Sequence, residues 1–175
     1  MQEKKLFLFD LDNTITESIS GETFPKTVND RKFMSGRKEK LLELHGQGKI
    51  TAIVTNQGGC AWKFFTQEDM DTFLTNLCIS AGISKFFVCY HDTGEKARQY
   101  IKTRPEQFIA SLVLPDLTPD GWERRKPGPG MLIEAMQHFG IDRQNTIMIG
   151  DRSEDLGATE NASVDFVWTK DFFGD

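Results

Sequence analysis

Apolar positions along the chain follow two alternating periods. Short runs at 5–9, 50–55, 85–90, 146–149 and 165–168 have the length and the β-branched or aromatic content of buried strands. Between them the spacing turns helical. Met70, Phe73, Leu74, Leu77 and Ala81 recur at three- and four-residue intervals behind Thr66-Gln67-Glu68-Asp69, a capping box with Asp where Glu is usual. Residues 36–47 predict another helix, with Leu41, Leu42 and Leu44 on its apolar side and Gly46 and Gly48 at its end. Leu132, Ala135, Met136 and Phe139 form one stripe over 129–139, and shorter helices are expected at 95–103 and 152–161. Residues 104–125 break the rhythm: they hold Pro105, Pro115 and Pro119 and an apolar stretch, 108–114, that fits strand or helix. A flap or insertion is expected there.

This alternation predicts an α/β fold, a doubly wound, Rossmann-like parallel sheet with helices on both faces. Such sheets carry their sites at the carboxyl ends of strands, near the reversal of strand order. Composition narrows the setting. With 175 residues, 38% hydrophobic and 27% charged, the chain reads as one globular domain over 1–175 with a core of its own. No apolar run approaches the roughly 20 residues of a membrane span. Met1-Gln2-Glu3-Lys4-Lys5 leads directly into a short strand, where a secretory signal would need roughly 7–15 apolar residues. Cys60, Cys78 and Cys89 are too few and odd in number for a disulfide framework, so a cytoplasmic location is expected.

Four strand ends carry chemistry. The first reads Asp10-Leu11-Asp12-Asn13-Thr14; two carboxylates at i and i+2 crowd each other unless a cation joins them or one is protonated. A surface turn capped by Asp12 and Asn13 would read the same way. The second, Thr55-Asn56-Gln57-Gly58-Gly59, offers a hydroxyl, an amide and an approachable backbone to an anion, or forms a turn and nothing more. Lys126 stands before a helix, a cation beside an existing anion site, or part of a solvated basic loop. The last, Gly150-Asp151-Arg152-Ser153-Glu154-Asp155, places acids at i and i+4 where a strand turns into a helix, a position that also suits a cap. Any one of the four can be bland. All four in this order, each at its own element end, are hard to explain as caps.

Together, Asp10-x-Asp12-x-Thr14, Thr55, Lys126 and Gly150-Asp151 with Asp155 resemble the phosphatases of the haloacid dehalogenase superfamily over almost the whole chain. The resemblance implies that the strands bearing Asp10 and Asp151 are neighbours. It implies Asp10 as a nucleophile forming an aspartyl-phosphate, and Asp12 as the acid and then the base. Mg²⁺ would take Asp10, the backbone carbonyl of Asp12, and Asp151, with Asp155 direct or one layer out. Thr55, Asn56 and Lys126 would hold the phosphoryl oxygens. Dehalogenases lack an acid at the Asp12 position and transport ATPases carry Thr there, so Asp12 favours a phosphatase. The interval from Asp12 to Thr55 holds one loop, one helix and one strand, so the chain resembles the subclass without a large cap.

Two branches of the superfamily compete. Histidinol-phosphatases and heptose-bisphosphate phosphatases share Thr-Asn-Gln and the Gly-Asp-Arg-x-x-Asp pattern at 150–155. They usually carry a zinc loop, of which Cys89-Tyr90-His91 matches the first half; Trp122-Glu123-Arg124 stands where two thiolates belong, so no zinc is expected. The 3′-phosphatase domains of polynucleotide kinase-phosphatases share Ser-Gly-x-x-Phe-Pro at 20–25, an acid at Asp30 and Thr55-Asn56-Gln57, and they lack the zinc loop. No kinase P-loop is present in this sequence. A pI near 5.3 opposes general nucleic-acid binding, yet Arg31, Lys32, Arg37, Lys38 and Lys40 face one acid, Glu39, and Arg124 and Arg125 flank Lys126. Phe64, Phe65 and Trp122 fit stacking platforms or ordinary packing. The expectation leans to a phosphate at a nucleic-acid 3′ end. The alternative is a small metabolite such as a sugar bisphosphate or histidinol phosphate. A non-catalytic phospho-ligand binder is a third reading, disfavoured because Asp10 and Asp12 are both kept.

Overall fold

The structure, a computed structural model, describes residues 3–92 and 116–175. The helix expected at 95–103 and the apolar stretch at 108–114 lie outside the described residues. Five parallel strands form the main sheet in the order β5-β4-β1-β6-β7: β1 (Leu6–Phe9), β4 (Ile50–Asn56), β5 (Lys85–Cys89), β6 (Thr146–Gly150) and β7 (Asp165–Trp168). The chain starts at the centre, builds outward on one side through β4 and β5, then crosses to the other side for β6 and β7. The reversal falls between β1 and β6. Phe9 is in register with Ile53 and with Ile149, so the next residue, Asp10, emerges level with Val54 of β4 and with Gly150, the last residue of β6.

The sheet is buried on both faces, which is why its strands read as apolar runs rather than as alternations. On one face Leu6, Leu8, Ala52, Val54 and Met148 pack against Met131, Leu132 and Ala135 of α3 (Gly130–Phe139) and Ala158 of α4 (Ser153–Ala162). On the other, Phe9, Ile53 and Ile149 meet Leu41 and Leu44 of α1 (Arg37–Gly46) and Met70, Leu74, Leu77 and Ala81 of α2 (Gln67–Ala81). The α2 capping box forms as expected: Asp69 N–H donates to Thr66 Oγ1 at 3.0 Å, and Thr66 N–H donates to Asp69 Oδ2 at 3.3 Å. Leu42, expected on the apolar side of α1, instead points to solvent, because Leu41 and Leu44 already fill the stripe facing the sheet.

Two elements escape the sequence pattern. A small antiparallel ladder joins β2 (Thr16–Glu17) to β3 (Lys32–Phe33), and α5 (Thr169–Phe173) folds Phe172 and Phe173 back over Phe7 and Phe9. Two-residue strands and a five-residue helix are too short to display a period. The loop between β2 and β3 is clasped at its base, where the backbone N–H and the hydroxyl of Ser20 donate to the two carboxylate oxygens of Asp30 at 2.7 and 2.6 Å. No large cap is evident over the strand ends among the described residues. Among the described residues no helix is long and apolar enough to cross a membrane.

Helix α2 supplies an internal control on this packing. Leu74 is fully buried and Ile79, one turn on, is 77% exposed. Leu74→Ala is expected to lower unfolding free energy by about 2–5 kcal/mol. Ile79→Ala should stay within about 0.5 kcal/mol of the parent in the same urea titration.

Candidate active site

The centre of the site is a buried ammonium group. Lys126 is 4% exposed, and its Nζ donates to Asp10 Oδ1 at 2.8 Å, Asp155 Oδ1 at 2.6 Å and the carbonyl oxygen of Val54 at 2.9 Å. Three donors therefore meet three acceptors, drawn from the ends of β1 and β4 and from the first turn of α4. Burial alone would pull this ammonium down, but the charges of Asp10 and Asp155 outweigh it and raise its pKa. Burial also pushes the Asp10 carboxyl up to about 7; Lys126 opposes the rise, and Asp155 and Asp12 add to it. Asp151 is raised as well, first by burial and then by the neighbouring charge of Asp155.

Close backbone approach makes this arrangement possible. Asp155 Oδ2 accepts the N–H groups of Asp151 and Arg152, each at 3.1 Å, so the carboxylate folds back over the strand-to-helix turn. A Cβ on Gly150 would lie 2.4 Å from that same oxygen. Lys126 is positioned by Asn56, whose side-chain oxygen accepts Lys126 N–H and whose amide donates to the Lys126 carbonyl, both at 3.0 Å. A Cβ on Gly128 would stand 2.4 Å from the Glu123 carbonyl oxygen, which ties the tight path of this loop to glycine. Asn56 thus reaches the site through the Lys126 backbone, with both ends of its carboxamide engaged, rather than by facing into it.

Asp12 lies two residues beyond Asp10 and has its own partners. Its Oδ1 accepts from Arg31 Nε at 2.7 Å and Thr16 Oγ1 at 3.3 Å; its Oδ2 accepts from Arg31 Nη2 at 3.1 Å and Gln57 Nε2 at 3.0 Å. Gln57 Nε2 also donates to Thr55 Oγ1 at 2.9 Å. Thr14 Oγ1 donates to Asp151 Oδ1 at 3.4 Å, joining the first acidic loop to the last. Asp10, Asp12, Thr55, Lys126, Asp151 and Asp155, spread over 146 positions of sequence, therefore converge at one end of the sheet. Arg31 is absent from the sequence-based set, since within a basic stretch nothing distinguishes a buried arginine from a surface one.

The donor set suits a divalent cation. Asp10, Asp151 and Asp155 each offer a carboxylate oxygen within 4.8 Å of the others, and the Lys126 ammonium bonds to two of them, Asp10 and Asp155. Hard oxygen ligands and surplus negative charge are what Mg²⁺ requires. Both oxygens of Asp155 already have partners, Lys126 on one and two backbone amides on the other, which leaves Asp10 and Asp151 as the carboxylates with free capacity.

The half-matched zinc segment has a different environment. Cys89 is fully buried in the core and its thiol is pushed up to about 11, chiefly by burial. The backbone carbonyl of His91 accepts from Arg125 Nη1 at 2.8 Å. Where thiolates would be needed, Arg124 donates to Asp116 Oδ1 at 2.8 Å and bidentately to Glu134 at 2.8 and 2.6 Å, which ties residues 116–124 to α3.

The basic stretch at 31–40 also resolves differently from its reading as a surface face. Arg31 and Arg37 are 7% and 2% exposed. Arg37 donates to the Thr14 carbonyl at 3.0 Å, pairs with Asp175 and lies over the Phe173 ring. Lys32 pairs with Glu17 at 3.3 Å and Lys40 with Glu43 at 3.0 Å. The stretch is largely neutralised from within.

Comparison with known proteins agrees with this geometry. The chain is 29% identical over 164 residues to the D-glycero-alpha-D-manno-heptose-1,7-bisphosphate 7-phosphatase of Campylobacter jejuni, a match covering 94% of this chain and 80% of that one. It is 26% identical over 168 residues to the beta-specific enzyme of Pasteurella multocida, covering 92% and 78%. With the corresponding Photorhabdus laumondii enzyme it shares 28% identity over 144 residues, spanning 66% of that protein's length. The crystal structure of D,D-heptose 1.7-bisphosphate phosphatase from B. bronchiseptica, complexed with magnesium and phosphate, has the same fold, with a TM-score of 0.66 at 21% identity over 93% of this chain and 78% of that one. The family model described as polynucleotide kinase 3 phosphatase matches residues 5–173. Matched over nearly its whole length, the chain belongs to the polynucleotide kinase 3 phosphatase family and is a phosphatase of the haloacid dehalogenase superfamily, a phosphoric monoester hydrolase.

Proposed function

We propose that the protein is a Mg²⁺-dependent phosphomonoesterase that acts on a small phosphorylated metabolite of the sugar-bisphosphate class through an aspartyl-phosphate on Asp10. The observation that carries this reading is the Lys126 bridge between Asp10 and Asp155, which with Asp151 forms one acidic cluster at the reversal of strand order. Asp10 Oδ attacks phosphorus, and the alcohol oxygen departs with the proton of Asp12. Asp12 then takes a proton from water as the water attacks the aspartyl-phosphate, which releases inorganic phosphate and restores Asp10. Lys126 and the Thr55 hydroxyl, already at the strand ends, offset charge that builds on the phosphoryl oxygens. Asp10, the Asp12 carbonyl and Asp151 would hold Mg²⁺, which would supply further neutralisation of the charge on the phosphoryl oxygens.

The substrate class draws support from the relatives, whose names specify heptose bisphosphates, and from the loss of one motive for the other reading, the basic stretch at 31–40. A nucleic-acid groove needs free cations along its wall. Arg31 and Arg37, counted toward such a wall from the sequence, face inward to carboxylates instead. A phosphate at a nucleic-acid 3′ end is the second reading, favoured by the description of the family model.

A phosphate-release panel separates the two. Fructose 1,6-bisphosphate, heptose 1,7-bisphosphate and histidinol phosphate are set against an oligonucleotide 3′-phosphate, each at low and high salt. The proposed reading expects a higher kcat/KM on a sugar bisphosphate with little salt dependence; a faster, salt-sensitive reaction on the oligonucleotide assigns the second reading. Asp10→Asn should abolish activity on every ester, because an amide neither attacks phosphorus nor carries the charge. EDTA should stop the reaction while the circular dichroism spectrum stays native.

Gly150→Ala tests the backbone contact beneath the site. The added methyl must displace Asp155 and with it one acceptor of Lys126, so kcat is expected to fall about 10²-fold, as when a preorganised charge-stabilising donor is lost. The far-UV spectrum should not change, since the added methyl meets the Asp155 side chain and not the backbone. Near-parental kcat in this variant would show that Asp155 is free to move without consequence.

A further inference from the structure

We propose that Arg31 is the positioning residue for Asp12, holding the plane of its carboxylate in the orientation from which it protonates the leaving alcohol. The inference rests on the phosphatase reading above and adds to it a residue outside the four strand ends. Its basis is the completeness of the local hydrogen bonding. A guanidinium has five N–H donors. Arg31 directs Nε and Nη2 to the two oxygens of Asp12 in a forked pair, a second Nη2 bond to Gln57 Oε1 at 3.0 Å, and Nη1 to the carbonyls of Thr27 and Val28 at 3.3 and 3.5 Å. Phe65 and Phe73 stand against its two sides, their ring centroids 5.5 and 5.7 Å from the guanidinium carbon. The side chain is 1% exposed, whereas that of Asp12 is 25% exposed. Arg31 is thus shut away from solvent and acts through Asp12, whose side chain is the more open of the two.

Forked pairing couples the two planes, so the carboxylate cannot turn about its last torsion without breaking both bonds. Gln57 reinforces the hold and links it to Thr55, since one amide nitrogen donates to Asp12 Oδ2 and Thr55 Oγ1. The acid and a phosphoryl-binding hydroxyl are therefore set by one network. That network is carried by the loop between β2 and β3, whose base is clasped by Ser20 and Asp30. Misplacing an acid by a fraction of an ångström slows proton transfer without weakening substrate binding.

The test is the dependence on leaving group, read in kcat/KM, which reports steps through departure of the alcohol. An alkoxide is a strong base and needs a proton as it leaves; dinitrophenolate does not. Arg31→Met and Arg31→Lys are assayed on fructose 1,6-bisphosphate and on 2,4-dinitrophenyl phosphate, beside Asp12→Asn. General-acid contributions are about 10²–10⁴-fold, so Arg31→Met is expected to lose about 10²-fold on the sugar ester and less than about threefold on the dinitrophenyl ester, with KM unchanged. Arg31→Lys, which keeps the charge without the fork, should show the same selective loss. Millimolar guanidinium should restore the sugar-ester rate of Arg31→Ala.

Equal losses on both esters would reduce Arg31 to a support for the fold and overturn the proposal. Should Arg31→Met fail to fold, Arg31→Lys gives the same ratio. Selective loss in Asp12→Asn without it in either Arg31 variant also overturns the proposal and leaves the phosphatase reading standing. No selectivity in Asp12→Asn would refute the role of Asp12 itself.

Discussion

A lysine ammonium buried among carboxylates is the constraint on which the rest of this site depends. Taking a charge out of water costs several kcal/mol, and only close acceptors offset that cost. Lys126 has three, and each imposes a demand elsewhere. Val54, two residues before the end of β4, must turn its carbonyl toward the ammonium. Asp155 must fold back over its own helix start, which excludes a side chain at residue 150. The loop before α3 must bring Lys126 in along a fixed path, which Asn56 guides from one side and Gly128 permits from the other. Three acids against one ammonium still leave negative charge in a dry pocket. Burial first, and the neighbouring charge of Asp155 in addition, raises the carboxyls of Asp10 and Asp151, and a divalent cation is the natural complement of such a cluster.

The sequence discloses the parts of this machinery that carry local signals. Each main-sheet strand is a compact apolar run and each long helix a periodic stripe, so the doubly wound sheet and the residues at its strand ends are legible before any coordinates. Asp10 and Asp151 announce themselves because each follows such a run, although 141 positions separate them. Contacts made by long side chains across sequence leave no such trace. Arg31 meets Asp12 over 19 positions and Arg37 meets Asp175 over 138. Both stand among lysines in the chain, and charge counting assigns them to the surface with their neighbours. The β2–β3 ladder is illegible for a different reason. It consists of two residues on each side and is held by its contacts with the acidic loop rather than by any propensity of its own.

The hidden contacts matter because they decide between readings that motifs leave open. Lysine and arginine density along 31–40 suggests a cationic wall, but a buried guanidinium paired to a carboxylate contributes almost nothing to the field outside. The same two arginines brace the acidic loop after β1 from opposite ends: Arg31 grips the Asp12 carboxylate and Arg37 the Thr14 carbonyl. Residues 12–14 are therefore supported by side chains from the loop before β3 and from the start of α1, and not by the sheet alone.

This division separates chemistry from choice of substrate. On the proposed reading, residues at the ends of β1, β4 and β6 would meet the phosphoryl group, which is alike in every phosphomonoester, and core packing fixes them. An alcohol leaving group meets other surfaces. One is the loop between β2 and β3, where Phe24, 53% exposed, lies with its ring centroid 5.1 Å from the guanidinium carbon of Arg152, the residue that follows Asp151. The Ser20–Asp30 clasp fixes the base of this loop independently of the sheet. A rim carried on a clasped surface loop can vary in sequence without disturbing a centre held by buried strands. Relatives that share the strand ends can thus differ in the ester they accept while keeping one reaction, and the discriminating contacts are to be sought on the rim rather than around Lys126.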